Sequence, residues 1–224
     1  MTKHGAGTEA AAIRHHLTDK VLAAYAGGDL PEAFGLVVAV HLSMCDECRA
    51  QAMARDALGG AVLDTGASEA MGADALAAVM ARLDAAPAKA QPDKPSAKHD
   101  VPAPLADYIG GDLASVKWKS VGKGVRQAIL PTDSAASVRL LRIPGGMAVP
   151  DHGHRGMEMT LVLQGAFADA TGRFGPGDVE IAGSDLEHTP VAEAGADCIC
   201  LAATDAPLRF RGLLPRLAQP FFRI

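Results

Sequence analysis

The stretch from Gly146 to Gly165 constrains this chain most strongly. It reads Gly-Met-Ala-Val-Pro-Asp-His-Gly-His-Arg-Gly-Met-Glu-Met-Thr-Leu-Val-Leu-Gln-Gly. His152 and His154 alternate, so in a strand both rings leave the same face. Glu158 follows past Gly156, a residue that can turn the chain. Two imidazoles and a carboxylate converging in this way suit Zn, Mn, Fe or Ni. The apolar run after Glu158 is strand-like, and Gln164-Gly165 closes it with a turn.

A second chemical centre lies near the N-terminus, in His41-Leu-Ser-Met-Cys45-Asp-Glu-Cys48. His41 and Cys45 are one helical turn apart on the same face. Cys48 follows at the spacing that lets two thiolates chelate one ion. These three ligands imply a tetrahedral Zn2+ that lacks one partner, and either His15 or His16 would complete it. Zinc would then staple a helical domain too small to rely on its core alone.

The chain between and around these centres changes character twice. Residues 1–12 read as a frayed tail. Thr18 predicts an N-cap for a short helix ending at Gly27-Gly28, and Pro31-Glu32 opens a second helix running to His41. A third helix is expected from Asp46 to about Leu63, weakened or ended at Gly59-Gly60. A fourth is expected over Ser68–Leu83, where Met71, Leu76, Val79, Met80 and Leu83 form an apolar stripe. That stripe packs onto its own bundle or receives a partner helix. Pro87, Pro92, Pro95, Pro102 and Pro104 then mark an extended linker. From Leu105 onward short strands are expected at Val116–Ser120, Val125–Leu130, Ser137–Ile143, Met157–Leu163, Phe167–Asp169, Asp178–Ile181 and Ile199–Ala203. Regular short strands with Gly and Pro turns indicate a sandwich or barrel. The expected division is a helical domain over 1–85, a linker over 86–104 and a β domain over 105–224.

Composition excludes some functions. A net charge of −5 and a sequence pI near 5.9 argue against direct nucleic-acid binding. No run of about 18 apolar residues predicts a membrane span, and the charged N-terminus is unlike a signal peptide. The expected compartment is the cytoplasm. There, the close pairs Cys45/Cys48 and Cys198/Cys200 favour metal or redox chemistry over structural disulfides. Cys198 and Cys200 alternate on a strand, either as small barrel-lining residues or as a reactive thiol pair.

The spacing Gly146-x5-His152-x-His154-x3-Glu158-x6-Gly165 resembles the first motif of the cupin superfamily. The resemblance implies a double-sheet β-barrel holding a metal, with a fourth His ligand on a later strand. His188 is the candidate, although the Pro176-Gly177-Asp178 turn lies further upstream than in the usual second motif. The series His16-x24-His41-x3-Cys45-x2-Cys48 resembles the zinc-binding anti-sigma domain, which carries the first ligand over to His16. The two in this order, with Ala103–Tyr108, Gly124–Pro131 and Gln219–Ile224, resemble the ChrR family of anti-sigma factors. The resemblance implies a multidomain α plus all-β protein. Its helical part would hold Zn2+ through His16, His41, Cys45 and Cys48. It would sequester an extracytoplasmic-function-type sigma factor. The cupin would hold Zn2+ or another divalent metal through His152, His154, Glu158 and His188. It would release sigma under oxidative stress of the singlet-oxygen type. The alternative is a metal-dependent cupin enzyme, a dioxygenase or isomerase. That reading leaves the N-terminal zinc motif unexplained.

Overall fold

The computed structural model describes residues 12–85 and 99–212. The expected tail to residue 11, the stretch 86–98 and the closing Gln219–Ile224 lie outside the described residues. The described chain divides into two compact units, one drawn from 1–55 with 99–224, the other from 56–98.

In the first unit the chain enters α1 (Asp19–Gly27) through Thr18, whose hydroxyl accepts from Val21 N at 3.3 Å. Gly28 ends the helix in the left-handed region at φ 75°, where a β-carbon is unfavourable. α2 (Glu32–Met44) starts at Pro31, which offers no capping side chain. Its free amides are met from elsewhere: Glu32 N donates to Asp133 Oδ2 at 3.3 Å, and Asp133 N returns a bond to Glu32 Oε2 at 2.8 Å. Cys45 breaks the helix with an extended backbone, and α3 (Asp46–Asp64) begins at once, its Asp46 and Glu47 favourable at the positive end of the dipole. α3 runs straight through Gly59-Gly60, which were expected to weaken it.

The expected extended segment ends earlier than its prolines suggest. Pro102 caps α5 (Ala103–Ile109) and Pro104 sits in its first turn, where a missing amide costs nothing. The expected strand Val116–Ser120 is displaced as well. A 3-10 turn occupies Leu113–Ser115, and the Trp118 indole donates back to Leu113 O at 3.3 Å. The first strand therefore starts at Lys119.

The strands are β1 (Lys119–Gly122), β2 (Val125–Leu130), β3 (Ser137–Ile143), β4 (His152–Gly153), β5 (Glu158–Gln164) and β6 (Phe167–Ala168). They continue as β7 (Arg173–Phe174), β8 (Val179–Ala182), β9 (Glu187–His188), β10 (Val191–Ala192), β11 (Cys198–Thr204) and β12 (Arg209–Phe210). One six-stranded sheet runs β1-β2-β3-β11-β5-β8, and two three-stranded sheets run β10-β6-β7 and β12-β4-β9. Every pairing is antiparallel. Gly165 turns the chain after β5 at φ 70°. A β-carbon there would lie 2.6 Å from Asp197 O, so only glycine fits.

The large sheet is buried on both faces. Leu140, Leu201 and Leu161 fall in one register row and share a core with Leu22, Phe34 and Val37 of the helices. Their neighbours Leu141, Cys200 and Val162 point the other way, into a second core with Phe167 and Phe174. This explains why β11 reads as a continuous apolar run, Cys-Ile-Cys-Leu-Ala-Ala, with no polar alternation. Tyr108 of α5 adds a polar tie. Its hydroxyl donates to Glu32 Oε1 at 2.9 Å and lies against Pro131 O.

The second unit holds the end of α3 and α4 (Ala75–Ala85). The expected start of α4 at Ser68 is moved to Ala75, because the chain turns between Gly72 and Ala75, whose amide bonds Gly72 O at 2.9 Å. No α4 residue is buried, and Leu76, Val79, Met80 and Leu83 are all exposed.

Among the described residues, no single helix is long and apolar enough to cross a membrane. Leu201→Ala should cost about 2–5 kcal/mol, the range for deleting a fully buried leucine. Because Leu201 belongs to the shared core, thermal melting followed by circular dichroism should lose helix and sheet signals in one transition, at a lower temperature than the parent.

Candidate metal centres

The first centre gathers four side chains from three segments. His16 precedes α1, His41 lies in the last turn of α2, Cys45 caps that helix, and Cys48 opens α3. Their ligand atoms all lie within 4.8 Å of one another. His16 Nδ1 is 3.3 Å from Cys45 Sγ and 3.6 Å from Cys48 Sγ. The Cys48 amide donates to Cys45 Sγ at 3.4 Å, an interaction that stabilises a thiolate. His15 turns away and packs against Phe174 with ring centroids 4.3 Å apart. Of the two histidines that the residues left open, the structure brings His16 beside the thiols and not His15.

His41 carries the geometry that would suit an ion at this cluster. Its Nδ1 lies 2.9 Å from the Gly177 carbonyl, which can only accept, so Nδ1 carries the proton. Nε2 then presents a lone pair, and it is fully buried with no hydrogen-bond partner. Burial lowers the His41 pKa, against the pull of the Gly177 bond, and keeps the ring neutral. Burial also pushes the Cys48 thiol up to about 11. An orphaned imidazole nitrogen beside two thiols is costly by itself, whereas a divalent cation would satisfy all of them and deprotonate the thiols. The Cys2His2 donor set fits Zn2+. Glu47 stands 3.5 Å from His16 Nε2 and orients that ring from behind.

The second centre sits in the β domain. β4 and β9 pair so that His152 faces His188, and the ligand atoms of His152, His154 and His188 lie within 4.8 Å of one another. His152 Nδ1 donates to Pro150 O at 2.8 Å, leaving Nε2 as the donor to an ion. His154 Nε2 and His188 Nε2 approach to 3.3 Å, so their lone pairs require a proton or a cation between them. Glu158 is not part of that mutual group. Its Oε2 lies 3.5 Å from His154 Nδ1, and its Oε1 accepts from Thr160 at 3.1 Å. The carboxylate therefore stands beside His154 at the edge of the group.

Two further residues escaped the sequence reading. Asp169 Oδ2 lies 2.6 Å and Glu180 Oε1 3.3 Å from His188 Nδ1. They fix its tautomer and turn Nε2 toward the other rings, the carboxylate–histidine arrangement of metal sites. Burial alone would lower His188, but the bonds to Glu180 and Asp169 outweigh it and lift its pKa to about 9. Asp169 is held at about 2: burial opposes ionisation, and donors from Thr171 and His188 overcome it. Burial raises Glu180. The readable signal was Glu180 itself, a charged residue inside the apolar run Val179–Ala182.

Cys198 and Cys200 are buried with their sulfurs 3.4 Å apart. The neighbouring thiol and full burial push the Cys200 pKa well up, so the protonated form dominates.

The two centres are joined by a short length of backbone. Gly177, which accepts from His41, is followed by Asp178, whose Oδ1 accepts from Arg14 N at 2.7 Å and His15 N at 2.9 Å. Val179 N donates to His15 O at 3.1 Å, and Glu180 comes next, against His188. Four consecutive residues thus touch the supports of both centres.

Residues 107–206 match the family model described as the ChrR cupin-like domain. The anti-sigma-E factor ChrR of Cereibacter sphaeroides is 63% identical over 215 residues, covering 95% of this chain and 99% of that protein. A ChrR chain in the crystal structure of Rhodobacter sphaeroides SigE in complex with the anti-sigma ChrR superposes with a TM-score of 0.77. It shares 61% identity over 87% of this chain and 100% of its own. Identity of this extent, along nearly the whole of both sequences, shows that the chain belongs to the ChrR family of anti-sigma factors.

Proposed function

We propose that this chain is a cytoplasmic anti-sigma factor, a regulator rather than an enzyme, which sequesters an extracytoplasmic-function-type sigma factor. The observation that carries the reading is near-full-length identity to a protein whose relative was crystallised with its sigma factor. The helical part to residue 85 is the sigma-binding module. Zn2+ bound by His16, His41, Cys45 and Cys48 would lock together the ends of α2 and α3. The exposed apolar residues Leu76, Val79, Met80 and Leu83 of α4 supply a docking face for sigma.

The cupin part is the sensor, holding Zn2+ or another divalent ion through His152, His154 and His188 with Glu158 beside them. The family resemblance supports oxidative stress of the singlet-oxygen type as the signal. Release requires a state that binds sigma more weakly. The segment Gly177–Glu180 is the route, because a shift at His188 and Glu180 reaches the His41 hydrogen bond within a few residues.

Cys45→Ala and Cys48→Ala should each remove one zinc per chain and abolish co-elution with sigma, read by metal analysis of the size-exclusion peak. Retention of both zinc and sigma would refute the zinc-module reading. Replacing Leu76 and Met80 together by Asp should weaken sigma binding at least tenfold in calorimetry while leaving zinc content unchanged. An unaltered affinity would move the docking face elsewhere. His152→Ala and His188→Ala should keep sigma sequestered but silence a sigma-dependent reporter under photosensitised singlet oxygen. A normal response in both variants would remove the cupin as sensor. Point variants suit this better than truncation, since α2 shares its core with the cupin sheet.

A further inference from the structure

The four side chains of the N-terminal cluster are not held alike. Cys45 and Cys48 stand at the junction of α2 and α3, where the helical backbone fixes their spacing. His16 lies in a stretch, residues 12–18, that belongs to no helix or strand. Ordering such a stretch costs conformational entropy, so contacts from outside it must hold His16 against the thiols.

One buried carboxylate supplies most of those contacts. Asp178 Oδ1 accepts from Arg14 N at 2.7 Å and from His15 N at 2.9 Å, the two residues that lead into His16. Its Oδ2 accepts from Gly175 N at 2.8 Å, which locks the side chain to its own turn. Val179 N donates to His15 O at 3.1 Å, so both the amide and the carbonyl of His15 are engaged. Ile13 lies on the same turn: a β-carbon at Gly177, where φ is 89°, would come within 2.5 Å of Ile13 Cδ1. Beyond His16, the Leu17 amide bonds the Cys48 sulfur. His16 is therefore carried between two anchors, Asp178 before it and Cys48 after it. The Gly177 carbonyl meanwhile orients His41. The two imidazoles are thus placed by neighbouring residues of one turn, and the two sulfurs by the helices.

We propose that Asp178 is a positioning residue for a metal ion at His16, His41, Cys45 and Cys48: its carboxylate keeps His16 within reach of the ion. Without it, His16 leaves the ion to the other three side chains and a water, and the ion is held more weakly. The inference rests on the reading of this cluster as a metal centre. Asp133 provides the comparison. It also ties a helix amide, Glu32 N, but at the opposite end of α2 from the cluster.

The test uses the full chain loaded with Co2+ in place of zinc. Thiolate-to-cobalt charge-transfer absorption reports the cysteine-bearing centre, and its collapse in Cys45→Ala assigns it. Chelator competition followed at this absorption gives the affinity. Asp178→Ala should hold cobalt at least tenfold more weakly than the parent, the scale of losing an outer-shell support. At saturating cobalt it should keep the charge-transfer band but shift the visible ligand-field bands, as an imidazole gives way to water. Asp178→Asn, with one acceptor oxygen for three amides, should fall between the two. Asp133→Ala should match the parent. Parent affinity and an unshifted spectrum in Asp178→Ala would overturn the proposal. If the alanine variant fails to fold, Asp178→Asn decides, and parent affinity there overturns it. An equal loss in Asp133→Ala would mean a general loosening of the fold and overturn it too. No thiolate charge transfer in the parent would remove the metal reading and the proposal with it. A normal band in the parent with unaltered Asp178 variants would remove the role of Asp178 alone.

Discussion

The hydrogen bond from His41 Nδ1 to the Gly177 carbonyl is the constraint on which both halves of the molecule turn. It is buried, so losing it would strand two polar groups. It fixes which imidazole nitrogen carries the proton and therefore aims the other at Cys45, Cys48 and His16. A candidate metal ligand at the end of α2 is in this way oriented by the turn at Gly177. The spacing of His41, Cys45 and Cys48 reads as a local chelate, yet the geometry of the cluster is completed at long range.

The same principle recurs at each junction. Asp133 supplies the cap that Pro31 cannot, and Asp178 gathers the amides of Arg14 and His15. The leucines of β3, β5 and β11 bury their outer row against helices and their inner neighbours against the small sheets. The Asp178 ties are partly buried beside apolar packing, which strengthens them, whereas the Asp133 cap is exposed. The backbone between Gly177, which accepts from His41, and Glu180, which stands against His188, is short and bonded at both ends. By contrast, Leu76, Val79, Met80 and Leu83 of α4 are exposed, and no residue of that helix is buried.

Much of the candidate chemistry was legible because it depends on spacing. His41, Cys45 and Cys48 are set by helical pitch, and His152 and His154 by strand alternation. β2 and β3 were readable to the residue, because turns bound both. Errors arose where a residue has two meanings. Prolines 102 and 104 read as linker but open a helix, and Trp118 reads as strand but folds back on Leu113. The helix expected from Asp46 to about Leu63 runs to Asp64, and Gly59-Gly60 does not end it. Asp169 and Glu180 carried no motif, since second-layer carboxylates are positioned by the fold and not by a chelating interval.

The sequence by itself determined the spacing of the candidate ligands His41, Cys45, Cys48, His152 and His154, the capped short helices and the family resemblance, because these rest on local periodicity and on spacings of a few residues. Only the tertiary structure decided three further matters. It brought His16 rather than His15 to the thiols, because Phe174 takes the His15 ring. It set Asp169 and Glu180 behind His188, through strand pairings between distant segments. It merged α2 with the outer face of the cupin sheet, because that sheet is apolar on both sides and must be covered on both. Contacts separated by more than a hundred residues leave no periodic trace in a single sequence, and His41 with Gly177 is such a contact.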